Sequence, residues 1–128
     1  KKLQSIKKFN LDDGTFIRYT EQGSGQPLLL LHTIRNRLEY SDLLLPYLTK
    51  KFKVYVIDLP GHGDSTINKK TNYDQEFLTD SIVSFIKKLD LKNLTIAGES
   101  IGAVLAATIA KKIPSRIKKI FCFNFPHN

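Results

Sequence analysis

The residues best suited to covalent chemistry are Gly98-Glu99-Ser100-Ile101-Gly102, a G-x-S-x-G pattern. Five residues match that pattern often by chance, so the flanks decide its meaning. Before it lies the apolar run Leu94–Ala97, which reads as a strand, and after it comes an apolar segment of helical character. A serine on so tight a strand-to-helix turn is held in a strained backbone conformation with its hydroxyl projecting above the sheet. Glycines are needed at 98 and 102 because side chains there would collide with neighbouring backbone. The helix start beneath Ser100 brings N–H groups and positive potential, which suit an oxyanion. The chemistry implied is nucleophilic acyl transfer. The alternative is an ordinary glycine-containing turn with a capping serine.

Positioning such a serine requires a sheet. Four continuous apolar runs supply one: Leu28–Leu31, Val54–Ile57, Leu94–Ala97 and Ile120–Phe123. None alternates, so each predicts a strand buried on both faces, as in a parallel sheet covered by helices. Between the second and third runs, Leu78, Ile82, Phe85, Ile86 and Leu89 make one helix stripe, with Asp80, Ser84, Lys87 and Lys88 off it. Between the third and fourth, Ile101 to Ala110 is apolar nearly all round, which predicts a central, buried helix. Lys111-Lys112 complement its C-terminal dipole and Pro114 ends it. Between the first two runs, Glu39–Leu45 has helical character and Pro46 kinks or restarts it. Ahead of all these, Ser5–Asn10 and Thr15–Thr20 flank Asp12-Asp13-Gly14 and read as a hairpin; Gly23 to Pro27 is a second break. The order is a hairpin, then β-α-β-α-β-α-β, and right-handed crossovers give a doubly wound α/β sheet.

A second motif, Asp58-Leu59-Pro60-Gly61-His62-Gly63-Asp64-Ser65, follows the run Val54–Ile57, and His32-Thr33 follows Leu28–Leu31. With these three motifs in order, the chain resembles the α/β-hydrolase family along essentially its whole length. The resemblance implies an α/β fold with a mostly parallel, doubly wound sheet of strand order 1-2-4-3-5-6, truncated after the sixth strand. It implies one domain over residues 1–128, the N-terminal part of a longer one. Ser100 would be the nucleophile, and the backbone N–H of Ile101 one oxyanion donor. The second oxyanion N–H would come from the turn after His32, from Ile34 in the first instance and otherwise from Thr33. Thr33 stands where many members have glycine, and Ala103 where a second glycine is frequent. His32 would hold the oxyanion turn by hydrogen bonding, and His62 would support its own loop without acting as base. The family places the triad acid and histidine after later strands, so both would lie beyond the last residue. Asp58, Asp64 and Glu99 are therefore not expected to be the acid, Glu99 being directed away from Ser100, nor is the nearly terminal His127 expected to be the base. Arg35 and Arg37, just past the oxyanion turn, have the chemistry to meet an anionic substrate group, although such residues are more often solvated loop charges.

Composition narrows the classes further. The formal charge is +8, but the lysines come as scattered pairs at the ends of apolar segments, without nucleic-acid-binding motifs or Cys/His spacing. Neither a nucleic-acid nor a membrane partner is expected. The single cysteine, Cys122, excludes an intrachain disulfide, and its apolar neighbours predict a buried thiol. The basic first residues lead into no apolar stretch, and no apolar run is long enough to span a bilayer, so a cytoplasmic location is expected. The reading is a serine hydrolase of small molecules, with carboxylic-ester hydrolysis as the default, needing no metal or organic cofactor. Alone, the chain should be catalytically feeble and prone to self-association through Ile120–Phe123 as an edge strand. The rival is a non-catalytic binding protein of the same fold or an inactive truncated product.

Overall fold

The computed structural model describes residues 6–31, 45–59, 73–99 and 101–123. Their strands form one mixed sheet: β1 (Ile6–Asn10), β2 (Phe16–Gly23), β3 (Gln26–Leu31), β4 (Phe52–Ile57), β5 (Leu94–Glu99) and β6 (Ile117–Phe123), in the spatial order β1-β2-β4-β3-β5-β6. The first two strands form an antiparallel hairpin, β2 joins β4 antiparallel, and β4, β3, β5 and β6 are mutually parallel. This is the expected topology, with Leu28–Leu31 between the Val54 and Leu94 segments. The hairpin turn is as expected too: Gly14 takes φ +87°, and Asp13 accepts hydrogen bonds from the backbone N–H and hydroxyl of Thr15.

The apolar runs mark only the doubly covered middle of each strand. β2 continues through Glu21 and Gln22, whose ladder partners are Tyr55 and Val54. Pro27 lies inside β3, near its start, where a missing N–H is tolerated. β6 begins at Ile117 and includes Lys118 and Lys119.

Strand alternation sorts the side chains onto two faces. On one, Leu29, Leu31, Tyr55, Ile57, Leu94 and Ile96 meet α2 (Gln75–Lys88) and α3 (Ile101–Lys112). Phe85 is the hub of that core, in edge-to-face contact with Phe9, Tyr19 and Tyr55 at centroid distances of 5.2, 5.0 and 6.3 Å. On the other face, Leu28, Leu30, Val54, Val56 and Ala97 pack with Leu45 of the short helix α1 (Leu45–Leu48). Pro46 lies in the first turn of α1, as a restart requires; the expected helical stretch 39–44 lies outside the described residues. Helix α2 begins where the Asp74 side chain accepts from the Phe77 N–H at 2.9 Å, and both α2 and α3 end in a lysine pair.

Three expectations fail. Helix α3 is not buried all round: Gly102, Leu105, Ala106 and Ile109 are buried, whereas Val104 is 50% exposed. Cys122 is exposed rather than buried, and Phe121 is 52% exposed. The apolar run Ile120–Phe123 therefore does not mark a doubly covered strand. For Cys122 and Phe121 the cause is that, among the described residues, β6 is an edge of the sheet; Val104 lies off the buried stripe of α3. Also among the described residues, no helix is long and apolar enough to cross a membrane.

Candidate active site

The site is built where β3, β4 and β5 end. Every residue of β5 is buried, so its carboxyl end is fixed by packing on both faces. β5 stops at Glu99 and α3 starts at Ile101, so strand becomes helix across a single position. A turn this short forces backbone against backbone, and the glycines answer that demand. A β-carbon on Gly98 would run into the carbonyl group of Gly102 and stand 2.7 Å from the Ala103 nitrogen. A β-carbon on Gly102 would stand 2.6 Å from the Leu31 carbonyl oxygen and 3.1 Å from the Leu31 β-carbon. Both glycines are thus required by close approach, and neither has a positive φ. Leu31 is the last residue of β3, paired in register with Gly98 on one side and Ile57 on the other. The end of the central strand is therefore the seat of the turn.

The first N–H groups of α3 have no acceptor one turn earlier in their own helix, and they carry its positive end. Ile101 opens that helix and packs its side chain against the core below. Helix α3 is tied to α2 by Gln75 Nε2, which donates to Thr108 Oγ1 at 3.2 Å, and by an ion pair from Lys112 to Asp80 at 2.8 Å.

Two buried carboxylates lie at this end of the sheet. Glu99, last in β5, falls by alternation on the face of Ala97. Asp58, immediately after β4, falls on the face of Val54 and Val56, where Arg18 Nε donates to its Oδ2 at 3.0 Å. Arg18 escaped the reading of the sequence because nothing local links it to a residue forty positions away. Ser100, His32, Thr33, Ile34, Arg35, Arg37, His62, Asp64 and His127 lie outside the described residues, so the structure speaks to their flanks only. Among the described residues no three His, Cys, Asp or Glu side chains converge as metal ligands would.

Residues 26–127 match the model of the alpha/beta hydrolase fold family. This chain belongs to that family. Among its relatives is an (E)-2-((N-methylformamido)methylene)succinate hydrolase from Acinetobacter baylyi, 30% identical over 118 residues; the match covers 92% of this chain and 44% of that protein. A 2-(acetamidomethylene)succinate hydrolase from Mesorhizobium japonicum is 29% identical over 105 residues, covering 82% of this chain and 37% of the relative. In three dimensions the chain resembles a hydrolase from Pseudomonas aeruginosa PA01 with a TM-score of 0.83 and 25% identity, over 91% of this chain and 44% of that one. The chain thus spans less than half the length of these family members.

Proposed function

We propose that this chain is the nucleophile-bearing part of a serine hydrolase that cleaves carboxylic esters or chemically related acyl compounds. The observation that carries the reading is the close packing of Gly98 and Gly102 on each other and on Leu31. A capping serine in an ordinary turn needs no such contact; a nucleophile raised on a one-residue turn does. The hydrolase names of the two succinate-compound relatives support hydrolysis as the reaction class.

In this reading the Ser100 hydroxyl attacks the acyl carbon. The carbonyl oxygen gains negative charge and is held by the Ile101 N–H and by an N–H of the segment after β3, that of Ile34 or Thr33. The leaving alcohol departs with a proton, and water hydrolyses the acyl-enzyme. The acid and base of the triad would follow the nucleophile in chain order, as is general for this turn type, in a longer chain containing this one. His32 would brace the turn after β3, and Arg35 would face an anionic substrate group.

The test is labelling by a serine-directed fluorophosphonate together with turnover of an activated ester. Both are run on this chain and on the longest reading frame that contains it, each beside its Ser100→Ala variant. Labelling and turnover that vanish with Ser100→Ala are expected of the longer form, with the present chain weaker by several orders of magnitude. A folded longer form that labels elsewhere, or not at all, would refute the assignment.

A further inference from the structure

Asp58 is completely buried at the point where the chain leaves β4. A carboxylate in such a place requires a cation and hydrogen bonds. Arg18 supplies both, and its side chain is itself only 12% exposed. The pairing runs in two directions: Arg18 Nε donates to Asp58 Oδ2 at 3.0 Å, and the Asp58 N–H donates to the Arg18 carbonyl at 3.0 Å. The backbone bond extends the β2–β4 ladder one step past its last register pair, Tyr19 with Ile57. The next residue, Leu59, is buried in the core of the opposite face. The chain is therefore fastened to both faces of the sheet within two residues of leaving β4.

This fastening stands one strand from the serine turn. Ile57 pairs with Leu31, and Leu31 is the residue on which Gly102 rests. We infer that Arg18 is a positioning residue for the serine centre: by holding Asp58 it fixes where β4 ends, and through β4 it fixes the end of β3 that seats the turn. In this inference it acts through the strand ends and not on the substrate. As regards rate, the inference rests on the serine-hydrolase reading; as regards geometry, it does not.

Two substitutions separate positioning from bulk stability. Arg18→Lys keeps the charge but removes the Nε–H that meets Oδ2. Arg18→Met combined with Asp58→Asn removes both charges at nearly constant size. In the longer, active form, Arg18→Lys is expected to cut the fluorophosphonate labelling rate per folded molecule by about tenfold or more, because small misplacements of a reacting group are costly. The Michaelis constant for an activated ester should stay within about twofold, as for a group that acts only on the transition state. In the 128-residue chain, amide exchange over residues 53–59 and 98–103 should quicken in Arg18→Lys, with the neutral double variant protected in 53–59. A labelling rate that falls only in proportion to the folded fraction would overturn the inference, as would unchanged exchange over 98–103. If the wild-type longer form fails to label at Ser100, the serine reading falls, and exchange alone then decides the role of Arg18.

Discussion

Gly102 rests directly on Leu31: any side chain at 102 would press into the carbonyl that ends β3. The serine turn therefore has no slack beneath it, and its partner glycine at 98 has none above it.

That contrast predicts unequal costs for glycine replacement. Gly98→Ala forces a methyl group into the backbone of Gly102 and Ala103, where no flexible side chain can give way. It should lose more than about 3 kcal/mol of stability, at or beyond the usual cost of overpacking. Gly14→Ala meets open space but has φ +87°, so it should lose about 1 kcal/mol from backbone strain alone. Urea titration of the two variants checks the difference, and equal losses would mean that the turn is looser than its contacts indicate.

Thr79 carries the opposite signature. Its hydroxyl is buried in α2 with no hydrogen-bond partner among the described residues. Thr79→Val keeps the shape and removes the unsatisfied group, so it should raise stability by about 1 kcal/mol. A thermal melt beside wild type reads this directly; a decrease would show that the hydroxyl is solvated or bonded in solution.

Glu21 predicts an acid dependence. Its carboxyl is held below the ordinary value of 4.5, first by the hydrogen bond from Lys53 at 2.8 Å, and in smaller measure by Lys7 at 3.3 Å, against a desolvation that works the other way. Because the folded value is depressed, the stabilisation is complete above the unfolded value and disappears as pH falls through the folded one. Glu21→Gln should therefore cost about 0.5–1 kcal/mol at pH 7, the range of a partly exposed ion pair. The gap between variant and wild type should close as pH drops below 4.5. Denaturant midpoints measured from pH 7 down to pH 3 test the sign, and a gap that widens in acid would refute it.

How far the sequence reveals the fold depends on which residues are asked. Leu28–Leu31 and Val54–Ile57 reveal their strands because burial on both faces leaves no polar position to confuse the pattern. The stripe from Leu78 to Ile86 reveals α2 because one face of it is wet. Glu21 and Gln22 conceal the end of β2, since an antiparallel strand near an edge tolerates polar side chains in a full ladder. Cys122 and Val104 mislead because hydrophobicity tells what a residue can bury against, not whether its own face of the element is covered. At the site, the glycine spacing around Ser100 reveals the turn because a steric requirement leaves a local mark. Arg18 leaves none, because its partner Asp58 is brought to it only by the pairing of β2 with β4.

The strand order has a consequence for biosynthesis. β3 lies between β4 and β5, yet it is translated before either. Emerging from the ribosome, Leu28 to Leu31 have no lateral partner until β4 is made, and the second flank stays open until β5 follows a whole helix later. Of the described strands flanked on both sides, β3 thus waits longest for closure. Such non-local pairing slows folding and leaves an adhesive edge exposed to other nascent chains. Once β5 docks, the turn after it sets Gly102 on Leu31, so closing the second flank of β3 and seating that turn are one folding event.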